Sequence, residues 1–100
     1  MADYNKIFEE AKRGGRHAGV YKQALAKTDA QLIKSINSNQ KKMIEHQNKI
    51  NNPSKYDVDW KNKDDKQKRG LIVKWEKEVK NFCEQAYIEI HVLKERGIDE

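Results

Sequence analysis

The sequence predicts an all-α fold: a small helical bundle with two long antiparallel helices and two shorter N-terminal helices. Apolar residues recur at helical spacing over two long segments, and residues typical of helix starts and stops bound each of them. Only residues 54–63 alternate apolar and polar side chains, and no partner strand for them is visible elsewhere. A chain of 100 residues has room for one domain with a small core.

The first part of the chain predicts two short helices, at about residues 3–13 and 17–26. Asp3 is suited to cap the first helix, and Gly14 and Gly15 are typical of a helix C-terminus. In the second segment, apolar side chains follow the spacing of one helix face. These side chains are Val20, Tyr21, Ala24 and Leu25.

A long third helix is predicted at about residues 29–51. Thr28 and Gln31 match a capping box, and Pro53 ends the pattern. The apolar positions of its inward face are Leu32, Ile36, Met43 and Ile50. Asn39 and His46 belong to the same face, so polar groups interrupt an apolar stripe.

The last helix is predicted at about residues 65–96, with Asp64 or Asp65 as its cap and Gly97 at its end. Its apolar face reads Ile72, Trp75, Val79, Phe82, Ala86, Ile90 and Leu93. A helix of this size is about 45 Å long, so antiparallel packing against the third helix buries both apolar faces. The preceding segment, residues 54–63, is interpreted as an ordered loop that lays its aromatic side chains on the core.

The chain carries 21 Lys and Arg against 16 Asp and Glu, a formal net charge of +5. A positive surplus attracts polyanions, although a modest excess is also found on ordinary solvated helices. Lys outnumbers Arg, and Lys gives non-directional phosphate contacts where Arg gives bidentate base readout. Any nucleic-acid binding is therefore expected to tolerate many sequences.

Several functional classes find no support in the sequence. No apolar run reaches the roughly 18 residues of a transmembrane helix, so no membrane partner is expected, and the first residues lack a signal-peptide pattern. Cys83 is the single cysteine, so neither an internal disulfide nor a cysteine-based zinc site is expected. The glycines do not form a nucleotide-binding loop.

The most informative motif is the stretch from Gly15 to Gly19, which contains Arg16 and His17, together with His46 about thirty residues later. His17 follows two glycines at a helix start, where backbone amides attract an anion. Two histidines can divide general acid and general base duty near neutral pH, because the unperturbed histidine pKa is about 6.5. The sequence therefore predicts His17 and His46 as catalytic groups for breaking a phosphodiester.

Each histidine also has a structural interpretation. A histidine on an apolar face, such as His46, is more often a hydrogen-bonded core group than a catalyst, and His17 suits a helix cap. His91 lies off the main apolar face and is interpreted as structural or surface. No cofactor is predicted, because Asp64 and Asp65 already serve as a helix cap, but the sequence leaves a divalent metal open.

Several short motifs follow one another from Gly15 to about Leu93. They are residues 15–19, residues 32–38, residues 45–53, Gln67, residues 71–72, Trp75 and residues 84–85. In order and rough spacing they resemble the C-terminal toxin modules of bacterial polymorphic toxins of the Rhs and LXG types. The sequence departs from that pattern at residues 63–67. It also departs at position 76, where it has Glu76 and the toxin modules commonly have a proline. These changes affect a helix start more than the predicted site.

The resemblance implies a nuclease toxin for interbacterial competition, with His17 and His46 as its catalytic residues. It also implies phosphate contacts from Lys34, Ser35 and Ser38. Arg16 and Lys49 are further predicted phosphate contacts, because they are basic residues close in sequence to His17 and His46. Expected partners are a nucleic-acid substrate and an immunity protein that is acidic at its contact surface. A delivery region is expected ahead of this chain, so that the module is secreted or delivered within a larger toxin and acts in the target-cell cytoplasm.

Three functions remain open at this point. The leading hypothesis is cleavage of RNA or DNA, with RNA slightly favoured because a histidine pair can use its 2′-hydroxyl as nucleophile. The alternative is a non-catalytic basic module that binds nucleic acid or a partner protein. In that case Asn39 and His46 would be polar groups that fix helix register. A toxin that attacks something other than a phosphodiester is the third.

Overall fold

Helices form most of the chain. The structure is a computed structural model that describes residues 4–98. Its elements are α1 (Tyr4–Lys12), α2 (Ala18–Ala26), α3 (Asp29–Asn51), α4 (Pro53–Tyr56), a 3-10 turn (Trp60–Asn62) and α5 (Asp65–Glu95). No strand occurs among the described residues. The all-α prediction is confirmed, and the four predicted helices are found with ends within about one residue of the expected positions.

Both long helices begin with a capping box. In α3 the Gln31 amide donates to Thr28 Oγ1 over 3.2 Å, and the Thr28 amide donates to Gln31 Oε1 over 2.9 Å. In α5 the same reciprocal bonds join Asp64 and Gln67, at 2.8 and 3.1 Å. Each box satisfies two amides that a helix start leaves without an intrahelical acceptor. Of the two predicted caps of α5, Asp64 is the one used.

Glycines in the left-handed conformation end α1 and α5. Gly14 has φ +90°, and the Gly15 amide donates to the Glu10 carbonyl over 2.9 Å. Gly97 has φ +80°, and the Ile98 amide donates to the Leu93 carbonyl over 3.0 Å. Both ends have the hydrogen-bond pattern of a Schellman motif, which favours glycine because a Cβ is strained there. The predicted cap of α1, Asp3, lies outside the described residues.

The helices α3 and α5 pack antiparallel. Asn39 bonds to Glu89, whereas His46, further along α3, pairs with Glu78, which is earlier in α5. The short helices α1 and α2 cover the C-terminal half of α5 and close the core there. The buried core residues are Phe8, Ala11, Ala24, Leu32, Ile36, Ile88, Val92 and Leu93.

The buried surface of α5 differs from the predicted stripe. Ile88 and Val92 are almost fully buried, although neither belongs to the predicted face. Val79 and Phe82, which do belong to it, are only half-buried. The reason is that α1, α2 and α3 surround the C-terminal half of α5, so several faces are buried there, whereas the N-terminal half contacts fewer elements.

The segment before α5 is a connection built of helical turns. It contains α4 and the 3-10 turn, and Trp60 stacks on Trp75 of α5 with 6.2 Å between ring centroids. Val58 is 92% exposed and contributes nothing to the core. The predicted ordered loop is present, but only part of its apolar side chains face inward. Across residues 4–98, no helix combines the length and apolar character needed to cross a membrane.

Candidate active site

His17 occupies an unusual backbone conformation immediately before α2. Its φ is 68° and its ψ is 18°, and it is the one non-glycine residue with positive φ among residues 4–98. A left-handed conformation strains a residue with a Cβ, and such strain concentrates at functional sites. This conformation follows Gly14 and Gly15, whose turn ends α1 and brings the next residues over α5.

The imidazole of His17 binds a buried carboxylate. Its Nε2 lies 2.8 Å from Glu84 Oε1, and the side chains of His17 and Glu84 are 8% and 4% exposed. Arg16 Nη2 and Nε lie 3.1 and 3.2 Å from the same oxygen. The Arg16 side chain is 61% exposed, so the guanidinium stands at the surface above the buried pair.

These contacts fix which ring nitrogen of His17 carries a proton. An ionised carboxylate only accepts hydrogen bonds, so Nε2 must donate to Glu84. Arg16 Nε also lies 3.1 Å from Nε2, but it can only donate, and its proton is taken by the carboxylate. In neutral His17 the lone pair is therefore on Nδ1, for which no hydrogen bond within residues 4–98 is found.

The carboxyl group of Glu84 is held in its ionised form. Burial raises its pKa, but the hydrogen bond from His17 and the positive charge of Arg16 together outweigh this effect, so the pKa lies below its usual value. Glu84 therefore orients the imidazole as a carboxylate and does not itself carry a proton at neutral pH. In many catalytic sites a neighbouring side chain orients the general base in this way.

Glu84 also borders a groove of about 420 Å³ between α3 and α5. Its lining residues are Tyr4, Met43, Gln47, Ile50, Glu76, Val79, Lys80, Cys83 and Glu84. We call it the Glu84 groove. The Tyr4 hydroxyl lies 3.2 Å from Cys83 Sγ, and this hydrogen bond is the largest of the effects that raise the pKa of Tyr4.

His46 is held in a different environment. Its Nδ1 donates to the Lys42 carbonyl over 2.8 Å, and its Nε2 pairs with the carboxylate of Glu78. The ring also packs against Phe82, with 5.2 Å between centroids. Both ring nitrogens of His46 therefore face hydrogen-bond acceptors, one on α3 and one on α5.

The two predicted catalytic histidines do not share a site. His17 binds Glu84 and His46 binds Glu78, six positions earlier on α5. That separation corresponds to about 9 Å along a helix axis and to directions about 120° apart around it. Met43 and Gln47 of α3 reach the Glu84 groove, whereas Lys42 packs over Phe82 beside His46. The two imidazoles therefore lie on opposite sides of the α3–α5 interface.

The predicted phosphate contacts are divided between three places. Arg16 stands at the His17 site, and Lys49 is half-buried in the last turn of α3. Lys34, Ser35 and Ser38 line a second groove of about 370 Å³, together with Lys27, Gln31, Asn39 and Lys42. We call it the basic groove. It lies on the side of α3 that carries His46, so Lys34, Ser35 and Ser38 do not surround His17.

A buried glutamate lies beneath the basic groove. Glu89 is 2% exposed; its Oε1 accepts a hydrogen bond from Asn39 Nδ2 over 2.6 Å, and its Oε2 lies 3.5 Å from Lys27 Nζ. Lys27 Nζ also donates to Ser35 Oγ over 3.3 Å. The polar position predicted at Asn39 is therefore a buried contact that joins α3 to α5.

His91 does not belong to either site. Its ring stacks on Phe8, with 3.9 Å between centroids, and its Nδ1 is buried without a hydrogen bond. This packing agrees with the structural interpretation of His91.

Sequence reasoning did not predict Glu84 or Glu89 as site residues. Both fall in a helix rich in charged residues, where a glutamate is normally solvated, and helical spacing alone does not reveal that three other helices surround this half of α5. For Glu84, one signal was present, since the pair Glu84 and Gln85 is among the motifs that carry the toxin resemblance.

Comparisons with known proteins give no assignment. No family model, no curated protein and no solved structure matches the chain at a significant level. Within residues 4–98, no group of three or more His, Cys, Asp or Glu side chains is arranged to hold a metal ion. The toxin resemblance and the nuclease activity therefore stay predictions, and the His17 site must be judged on its geometry.

Proposed function

We propose that this chain is a nuclease domain that cleaves RNA, with His17 as its general base. The observation that carries the proposal is the hydrogen bond of 2.8 Å between His17 Nε2 and the buried carboxylate of Glu84, at a residue with a strained backbone. Arg16 on the same carboxylate supplies positive charge at the surface, where a phosphate would approach. His46 is assigned a structural role in this revised site.

The proposed reaction uses the 2′-hydroxyl of RNA. His17 Nδ1 takes the proton of this hydroxyl, and the oxygen forms a new bond to the adjacent phosphorus. The bond from phosphorus to the 5′-oxygen breaks, that oxygen takes a proton from water, and the hydroxide that remains takes the proton from His17 Nδ1. Arg16 stabilises the additional negative charge that develops on the phosphoryl oxygens in the transition state, and the cyclic phosphate that forms carries a single negative charge. Glu84 stabilises the imidazolium that forms on His17.

The biological setting that we propose is the one implied by the resemblance to polymorphic-toxin modules. A nuclease of the polymorphic-toxin kind would be delivered within a larger toxin and would act in the cytoplasm of a target cell. An immunity protein would then cover the surface around Arg16, where an acidic contact would complement the guanidinium. These statements rest on the sequence motifs alone.

The direct test is to incubate the purified protein with RNA and with plasmid DNA, each with EDTA and with magnesium. We expect RNA cleavage that EDTA leaves unchanged. His17→Ala should lower the rate by about 100-fold or more, the usual contribution of a general base. The matched variant His46→Ala should retain cleavage when assayed below its melting temperature. Inert protein in all four reactions, or full activity in His17→Ala, would overturn the proposal.

One observation favours a second function, the binding of nucleic acid without cleavage. The basic groove combines three lysines and two serine hydroxyls, which suit phosphate oxygens. Meanwhile, the Asn39–Glu89 and His46–Glu78 pairs join α3 to α5 at two separate positions, as expected of groups that fix helix register. Binding that weakens steeply with salt and yields no cleaved product would favour this function.

A further inference from the structure

We infer that the Glu84 groove binds one unpaired nucleobase of the strand that is cut. This inference rests on the proposed function, which it deepens by assigning the substrate class as single-stranded RNA. The nucleobase would enter between α3 and α5 and stack against the side chains of the groove, with its ribose directed toward His17. Unpaired bases are the usual targets of RNA recognition, because their faces are free to stack on protein side chains.

The lining of the groove suits a planar ring. Tyr4 is its aromatic member, and the ring of Tyr4 packs on that of Tyr87 with 4.8 Å between the two ring centroids. Met43, Ile50 and Val79 give the groove an aliphatic surface. A nucleobase stacks on an aromatic ring whatever its sequence identity, because every base has a π-face.

The polar groups of the groove suit the edge of a base and its phosphate. Gln47 is exposed and carries both a hydrogen-bond donor and an acceptor, as reading a base edge requires. Lys80 is exposed at the same groove and complements the charge of a phosphate. Glu76 is also exposed there and can accept a hydrogen bond from an exocyclic amine.

The position of the groove connects it to the proposed reaction. Glu84 borders the groove and also binds His17 over 2.8 Å. The basic groove has no such connection, because it lies on the other side of the α3–α5 interface. A base held at the Glu84 groove would therefore lie one side chain away from His17, whereas a strand bound at the basic groove would not.

The test is an NMR titration of the isotope-labelled protein with adenosine 5′-monophosphate and, separately, with ribose 5-phosphate. We expect the nucleotide to shift the amide signals of Met43, Gln47 and Cys83, and ribose 5-phosphate to leave them unchanged, because it lacks the base. Alkylation of Cys83 provides a second readout, since it is the single thiol of the chain. The nucleotide should slow this alkylation, and ribose 5-phosphate should not.

Two matched variants locate the binding. Ile50→Phe fills the groove with a larger side chain and should weaken nucleotide binding at least tenfold. Ile44→Phe makes the same change at a position of α3 that is 59% exposed and does not line the groove, and it should leave binding unchanged. Equal effects of the two variants, equal shifts with ribose 5-phosphate, or shifts confined to the basic groove would overturn the inference.

The outcomes also separate this inference from the proposed nuclease activity. Nucleotide binding at the groove in a protein that cleaves no RNA would support the base site and reject the nuclease. RNA cleavage that depends on His17, without any nucleotide shift at the groove, would support the nuclease and reject the base site. Signals of the groove that shift with protein concentration alone would identify a second copy of the chain as the occupant and reject the base site.

Discussion

The Nε2 atom of His17 lies 2.8 Å from Oε1 of Glu84, although 67 positions separate the two residues in the chain. The contact joins the turn between α1 and α2 to the middle of α5. The side chains of both residues are nearly inaccessible to solvent. A polar contact of this kind links the stability of the fold to the chemistry of the proposed site, because the same carboxylate holds both the turn and the imidazole.

Glu84→Gln should lower the free energy of unfolding by about 1–3 kcal/mol. The amide keeps the shape of the side chain but loses the charge that His17 and Arg16 bind. Chemical denaturation at pH 7 measures the change. Glu76→Gln is the control, because Glu76 lies at the same groove but is exposed, and it should change the value by less than about 0.5 kcal/mol. Equal losses in the two variants would contradict this prediction.

The contribution of Glu84 to stability should disappear in acid. Because the pKa of Glu84 is lower in the folded protein, this contribution is complete above the unfolded value of about 4.3 and is lost as the pH falls through the folded pKa. The difference in unfolding free energy between the wild type and Glu84→Gln should therefore shrink as the pH falls below about 4. Urea unfolding at a series of pH values tests this, and a difference that grows in acid would reject it.

The backbone of His17 should favour asparagine over alanine as its replacement. Both variants remove the imidazole, but asparagine adopts the left-handed conformation more readily than alanine. We expect His17→Asn to be more stable than His17→Ala by about 1 kcal/mol, and both to lack nuclease activity. Thermal unfolding followed by circular dichroism measures the first effect. Identical melting temperatures would show that this position carries no backbone strain.

Asn39→Leu should destabilise the protein, because it leaves the buried carboxylate of Glu89 with Lys27 as its remaining partner, at 3.5 Å. The expected loss is about 1–3 kcal/mol of unfolding free energy. Replacing both partners, in Asn39→Leu with Glu89→Met, should recover most of this loss, since two apolar groups leave no unsatisfied charge. Denaturant unfolding of the single and double variants completes the test, and a double variant less stable than Asn39→Leu would contradict it.

The basic groove should make nucleic-acid binding depend on salt. Lys34→Gln and Lys42→Gln each remove one positive charge from the groove, so each should reduce the slope of log affinity against log salt by about 0.7 for a single strand. Fluorescence anisotropy with a labelled RNA at several salt concentrations measures this slope. Lys94→Gln removes an exposed lysine that does not line the groove and serves as the control. A slope that falls equally in all three variants would indicate binding to the general charge of the protein.

Local signals in the sequence predicted the helices well. Thr28 with Gln31 and Asp64 with Gln67 are short-range patterns, and each forms the expected capping box. Gly14 and Gly97 adopt the expected left-handed conformation. These features depend on neighbours within a few residues, so the sequence contains all the information that they require.

The candidate site was harder to predict, because it depends on contacts between distant residues. His17 was recognised from its motif, but its partner Glu84 was not, and the motif containing His46 suggested a pairing that the fold does not form. Whether His17 and His46 reach the same carboxylate depends on how α1, α2 and α3 pack around α5. Spacing along the chain does not contain that packing.

The placement of Glu78, Glu84 and Glu89 around α5 has a practical consequence. Because His17 and His46 bind carboxylates on opposite sides of the α3–α5 interface, changes in one set of contacts should combine additively with changes in the other. The imidazole of His17 can therefore be removed by substitution while the basic groove stays intact. Such a variant would serve as bait for ligands of the basic groove.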